Sequence, residues 1–136
     1  MADRVSSAKR SEIMRAVRSR NTSPERKVRS VAHNLGLRFR IHRKDLPGSP
    51  DLLFPKRRTA LFVHGCFWHR HENCSRATTP KTNTEYWTRK FINNVERDRE
   101  NKRKLEAKGW KVLVIWECET NTRKSIEAFI TKNFLV

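Results

Sequence analysis

The sequence predicts an α/β (α+β) fold, a mixed central sheet with helices on its faces, and three observations predict it. Apolar residues recur at helical spacing before Gly36 and again between Glu85 and Lys108. Between and after those helices they alternate or run continuously in short segments, as strands do. Gly, Pro and Asn punctuate the joins. The resulting order, α-α-β-β-β-α-β-α, places helices against one sheet, and 136 residues suit a single domain spanning 1–136 with a modest core.

Ile13, Met14 and Val17 give a first short helix one apolar stripe amid arginines. That stripe suits either a solvated helix docked by its apolar side or a basic arm (residues 1–20) laid along DNA, with Met14 among its contacts. The second helix opens with Ser23 as N-cap, Pro24 at its first position and Glu25 in its first turn. Val28, Val31, Ala32 and Leu35 form its buried face, and Gly36 stops it.

Leu37-Arg-Phe-Arg-Ile41 alternates like a half-buried strand, Asp51 to Phe54 forms the next, and Pro55 to Arg58 a tight reversal. Thr59 to Val63 then runs into a polar loop. Thr82-Asn-Thr-Glu85 reads as a capping box opening a long helix that Gly109 ends. Trp110 to Trp116 reads as a buried strand, and Ile126, Phe129 and Ile130 mark a last helix.

Charge narrows the partner. A formal charge of +17 and a pI near 10.9 favour a polyanion, because each phosphate neutralised by Lys or Arg releases counterions. The first 45 residues alone carry 13 Lys and Arg against 4 Asp and Glu. Nucleic acid is therefore the expected partner rather than a membrane. The longest apolar run, Val112 to Trp116, is too short to cross a bilayer, and three scattered cysteines make no disulfide framework. These features predict a soluble intracellular chain.

The chemistry concentrates in His64 to Cys74, which holds three of the five histidines and two of the three cysteines. Cys66, His71, Cys74 and the distant Cys118 compose a closed structural zinc set that uses every cysteine. His64 and His69 remain for proton transfer. Asp51 starts the strand before the one carrying His64, so it is expected beside Val63 and His64. A carboxylate, a carbonyl and imidazoles meeting at a strand end suit a hydrated magnesium ion. Phe67 and Trp68, on a loop pinned by zinc, are expected to be presented as wedges between base pairs, with Trp87 joining them. On the long helix, Trp87, Lys90 (or Phe91), Asn94, Asp98 and Lys102 share one stripe. Lys90 and Asn94 are the expected base-edge readers, and an Asp near a His would orient it. Phe91, Val95 and Leu105 are the expected core contacts of that helix.

Five motifs occur in order: Leu46-Pro-Gly-x-Pro-Asp51, Phe62-Val-His-Gly-Cys-Phe-Trp-His-x-His71, Glu85-Tyr-Trp87, Asn93-Asn-Val-Glu-Arg-Asp98 and Trp116-Glu-Cys118. Together they closely resemble the very-short-patch repair mismatch endonucleases, over nearly the whole chain. The resemblance implies a restriction-endonuclease-like fold in which histidines replace the usual carboxylate-x-lysine pair. It implies a magnesium-dependent, strand-specific nick 5′ of the thymine in a T:G mismatch left by 5-methylcytosine deamination. It further implies magnesium on Asp51 and the Val63 carbonyl, cleavage by His64 and His69, support of His69 by Asp98, and Glu25 near the metal waters. Intercalation by Phe67, Trp68 and Trp87, and structural zinc on Cys66, His71, Cys74 and Cys118, follow from it as well. In this sequence the stretch between His71 and Cys74 is one residue longer than the family pattern. The expected protein is thus a monomeric DNA repair hydrolase of the bacterial cytoplasm, acting at the nucleoid, with a mismatch-repair partner protein possible. Two alternatives stand beside it: a non-enzymatic zinc-containing nucleic-acid-binding module, and a restriction-like nuclease with a different lesion preference.

Overall fold

The computed structural model describes residues 23–135; the basic arm, the helix expected around Met14 and Met14 itself lie outside the described residues. The first described helix, α1 (Ser23–Asn34), buries Glu25, Val28, Val31 and Ala32. Gly36 ends it at φ +80°, a conformation that side chains with a Cβ rarely adopt, and Leu37 N–H returns to the Ala32 carbonyl.

Among the described residues the sheet has three strands. β1 (Leu52–Phe54) pairs antiparallel with β2 (Thr59–His64), Leu52 facing Leu61 and Phe54 facing Thr59. The reversal between them is a single 3-10 turn, Pro55–Arg57, closed by Arg58 in the left-handed region at φ 48°. β2 then pairs in parallel with β3 (Lys111–Trp116), in a register that runs from Thr59 opposite Lys111 to His64 opposite Trp116. A parallel neighbour needs a long crossover, and α2 (Thr84–Ala107) supplies it. The strand expected at Leu37–Ile41 is corrected to one antiparallel bridge, in which Arg40 and Leu53 exchange two 2.8 Å hydrogen bonds. The alternation survives in burial, with Leu37 buried and Arg38 exposed, but His42 at φ 58° turns the backbone away before a ladder can form.

Both sheet faces are covered. One carries α1 and α3 (Arg123–Ile130), where Val28, Val31, Ile126 and Ile130 pack on Leu52, Phe54, Leu61 and Ile115. The turn after α3, Thr131–Leu135, brings Phe134 to 4.6 Å from the Phe54 ring centroid. The other face packs Leu53 and Ala60 against Leu105 of α2, flanked by Leu46, Phe62, Trp110 and Val112.

α2 begins one residue later than the capping box placed it. Its N-cap is Asn83, left-handed at φ 52° and making no side-chain cap. The far end matches expectation: Gly109 at φ +89° lets the chain turn into β3, and Trp110 N–H closes on the Leu105 carbonyl.

Leu105 is fully buried and anchors the only helix on its sheet face among the described residues. Leu105→Ala is expected to lower unfolding free energy by about 2–5 kcal/mol in urea titrations. A loss below about 1 kcal/mol would contradict this packing.

Candidate active site and metal cluster

The parallel pairing of β2 and β3 ends both strands at one edge, with His64 beside Trp116. The chain beyond His64 folds back on itself, the His69 N–H donating to the Gly65 carbonyl and the His71 N–H to the Cys66 carbonyl. Arg70 and Asn73 both sit near φ 55°, and these two left-handed residues make the loop tight. Asn73 lies in the lengthened stretch before Cys74, and Cys74 still reaches the cluster.

That cluster is Cys66, His71, Cys74 and Cys118, whose ligand atoms all lie within 4.8 Å of one another. His71 Nδ1 is 3.7 Å from Cys66 Sγ and 3.4 Å from Cys118 Sγ. A tetrahedral ion with bonds of 2.0–2.3 Å to nitrogen and sulfur needs ligand separations of about 3.3–3.8 Å, so the donor set fits one. The thiols also need a cation. Burial pushes Cys66 up to about 12 and raises Cys118, whereas the Arg76 backbone N–H chiefly draws half-buried Cys74 down to about 7. A divalent ion would hold all three as thiolates where the surroundings alone hold two as thiols.

On the other side of His64 lies a second grouping. The His64 and His69 rings stack with centroids 3.8 Å apart and planes within 6°. His69 Nδ1 hydrogen-bonds Asp98 Oδ2 at 2.5 Å, which commits that nitrogen and leaves Nε2 for a proton acceptor or donor role. Burial pulls His64 down to about 3; neighbouring His69 adds to the shift and Asp98 opposes it. His64 is therefore neutral, and His69, held by Asp98, is the imidazole placed to exchange a proton. The ligand atoms of His64, His69 and Asp98 are also close together. Near-parallel rings direct their lone pairs side by side rather than at one point, which suits proton transfer better than chelation.

Asp51 lies at the start of β1, where the Val63 N–H donates to its Oδ2 at 2.7 Å. Its carboxyl is pushed up to about 7, mainly by burial and further by Glu25; the Val63 N–H and Arg29 work the other way. Glu25, itself 8% exposed, pairs with Arg29 at 3.1 Å. Two carboxylates under partial burial form an oxygen-donor set short of positive charge, which fits a hard divalent cation. Glu25, Asp51, Val63, His64, His69 and Asp98 all line one open cleft of about 1220 Å³.

The aromatics differ from expectation. Trp68 and Trp87 are each 6% exposed, and Phe91 joins them instead of the main core. Phe67, half-buried, meets Trp68, Trp87 and Phe91 edge to face. These rings bury one another, the loop folding back onto the first turns of α2. Arg70 fastens that fold. It lies 3.9 Å over the Phe91 ring and donates to the Phe67, Ala77 and Thr78 carbonyls and the Thr79 hydroxyl. Asn94 donates to the Trp68 carbonyl at 3.3 Å, and the Lys90 ammonium lies 5.9 Å from the Tyr86 ring centroid. Arg70 and Trp116 escaped sequence reasoning: one looked like basic background and the other like strand core.

A family model described as DNA mismatch endonuclease Vsr matches residues 2–76. A type II nicking enzyme, V.XorIIP of Xanthomonas oryzae pv. oryzae, is 50% identical over 94% of the chain and 93% of its own length. The DNA mismatch endonuclease Vsr of Escherichia coli K12 is 42% identical over 93% of the chain and 80% of its own length. Among solved structures, the catalytic domain of homing endonuclease I-Bth0305I superposes with a TM-score of 0.58 at 21% identity, covering 85% of this chain and 96% of that domain. The fold is accordingly restriction-endonuclease-like, a mixed sheet with helices on both faces.

Cobalt(II) added to metal-free protein is expected to bind one equivalent at the cysteines and give thiolate-to-metal absorption. Cys118→Ser should weaken that binding by more than about 100-fold, beyond the cost of losing a mere supporting contact. Unchanged affinity in the variant would remove Cys118 from the ligand set.

Proposed function

This chain belongs to the Vsr DNA mismatch endonuclease family, and on that premise we propose that it nicks one DNA strand 5′ of the thymine in a T:G mismatch. Family membership makes it a DNA endonuclease. The nick would initiate very-short-patch repair of deaminated 5-methylcytosine. The observation that carries this reading is the His69–Asp98 hydrogen bond stacked on neutral His64 and lining one cleft with Asp51. A binding module has no use for such an arrangement.

Asp51 and the Val63 carbonyl would hold magnesium, with Glu25 beside its waters. When bound, that ion supplies Lewis-acid stabilisation of charge on the phosphate oxygens. The remaining work falls to side chains. His69 exchanges a proton at Nε2 while Asp98 holds its Nδ1, orienting the ring and stabilising the imidazolium. His64, kept neutral by burial, assists at the same phosphate without repelling a protonated His69. Cys66, His71, Cys74 and Cys118 would hold zinc, which would pin the loop that carries His69. Phe67, Trp68 and Trp87 enter the base stack beside the mismatch, where a weak pair lowers the cost of unstacking. Lys90 and Asn94 approach base edges from the same helix, and the basic arm with Met14 binds the duplex.

The charge of +17 supports tight, salt-sensitive association with DNA. No described helix is long and apolar enough to cross a membrane. We take the acting unit to be one single-domain monomer in the bacterial cytoplasm, with any repair partner engaged after nicking.

End-labelled T:G, T:A and C:G duplexes incubated with magnesium test the reading. Only T:G should be nicked efficiently, on the thymine strand. Asp51→Ala should abolish nicking with mismatch binding retained, and full cleavage by that variant would sink its assignment. Asp98→Asn should slow the single-turnover rate by about 10²–10⁴-fold, the usual worth of a positioned acid or base; a loss under threefold would not fit. Phe67→Leu should narrow the T:G over T:A preference by about tenfold or more. Undiminished preference would refute the wedge.

A further inference from the structure

Four aromatic rings run without a break from the Cys/His cluster to the histidine pair. His71 stacks on Trp116, with centroids 4.2 Å apart and planes within 11°. The Trp116 indole then meets His64 nearly edge-on, at 5.2 Å and 75°. His64 stacks on His69, whose other side is held by Asp98. Trp116 is itself fixed at its backbone: it ends β3 directly opposite His64, and its backbone N–H donates to Glu119 Oε1 at 3.0 Å. Two residues further on comes Cys118 of the cluster. The ring contacts that place His64 are those to Phe62, His69 and Trp116.

We propose that Trp116 is a positioning residue, a planar strut through which the Cys/His cluster sets the orientation of His64 and, by stacking, of His69. The two ends of the strut have different jobs. One face rests on a cluster ligand, which is immobile once its nitrogen is committed to a metal. The edge meets His64, so the indole bars that imidazole from rotating out of its stack on His69. Flatness is what the role requires. An aliphatic chain of similar bulk would fill the space but leave both imidazoles free to tilt. A tilt of the pair relative to a phosphate costs rate rather than affinity, because DNA binding draws on many other groups.

The rate arm of the test rests on the proposed nicking of T:G; the structural arm does not. Trp116→Leu and Trp116→Phe are compared with the natural chain, all zinc-loaded and full length, by single-turnover nicking and by NMR of labelled histidine rings. Cobalt titration of each metal-free variant reports on the cluster. We expect both variants to keep the cobalt–thiolate absorption. Trp116→Leu should lose the ring-to-ring contact signal between His64 and His69, and nick about 100-fold more slowly at nearly unchanged duplex affinity. Trp116→Phe should keep the contact and recover to within about fivefold of the natural rate. The proposal is overturned if the leucine variant keeps the contact signal, if leucine and phenylalanine behave alike, or if the leucine variant loses cobalt absorption, which would make Trp116 a support of the cluster alone. A natural chain that fails to nick T:G would defeat the functional reading and leave the histidine contact signal to decide this one.

Discussion

The parallel pairing of β2 with β3 is the constraint on which the rest of the structure depends. Its register sets His64 opposite Trp116, and every chemical group near the site is measured from that pair of strand ends. Cys66 follows His64 by two residues, as Cys118 follows Trp116, so the register alone brings two thiols from remote parts of the chain to one place. A slip of one residue would turn His64 to the other sheet face and separate the thiols. The antiparallel partner on β2's other side adds the carboxylate, since Asp51 lies just before β1 and accepts from Val63. Three strands thus deliver a carboxylate, an imidazole and half a metal cluster to a single edge.

Charge is distributed across this edge unevenly. The chain as a whole is strongly basic, yet Asp51, Glu25 and Asp98 all line the cleft. Asp51 feels its burial and the neighbouring Glu25 as an unfavourable field, and Glu25 is partly offset by Arg29. A hard cation would relieve that field at the place where a basic surface has drawn a phosphate. The thiol cluster poses the opposite case, with groups that burial keeps protonated until a metal arrives. Both sites are arranged so that the ion completes the electrostatics of the fold.

Much of this was legible in the sequence, for identifiable reasons. α1 was readable because Ser23, Pro24 and Gly36 bracket a clean apolar stripe, and the cluster because its donor types are rare and complete. The Asp51–Val63 proximity followed from a four-residue reversal that leaves little choice of register. What escaped depends on contacts between distant segments. Leu37–Ile41 alternates as a strand does, but pairing needs a partner edge, and His42 turns away after one bridge. Thr82 and Glu85 have capping spacing, yet the N-cap position falls on Asn83, left-handed at φ 52°, at the end of a loop that Arg70 ties down. Arg70 could have been suspected only from its position between two histidines, since its four acceptors lie in residues 67 and 77–79.

α2 joins these parts into one device. Trp87, Phe91, Asn94, Asp98 and Leu105 follow one another at separations of four, three, four and seven residues, so a straight helix keeps them on one stripe. At 1.5 Å per residue the stripe spans about 27 Å. Leu105 pins its far end in the sheet, Asp98 holds His69, Asn94 holds the Trp68 carbonyl, and Trp87 with Phe91 closes over the loop's aromatic rings. A shift of this rod along its axis would alter the histidine pair and the aromatic cluster together, because both are held by residues of α2. Buried Leu105 opposes such a shift at one end and the metal-bound loop would oppose it at the other. The aromatic cluster and the histidine pair are therefore two readouts of a single helix position, so a displacement at the rings would reach the groups at the strand ends.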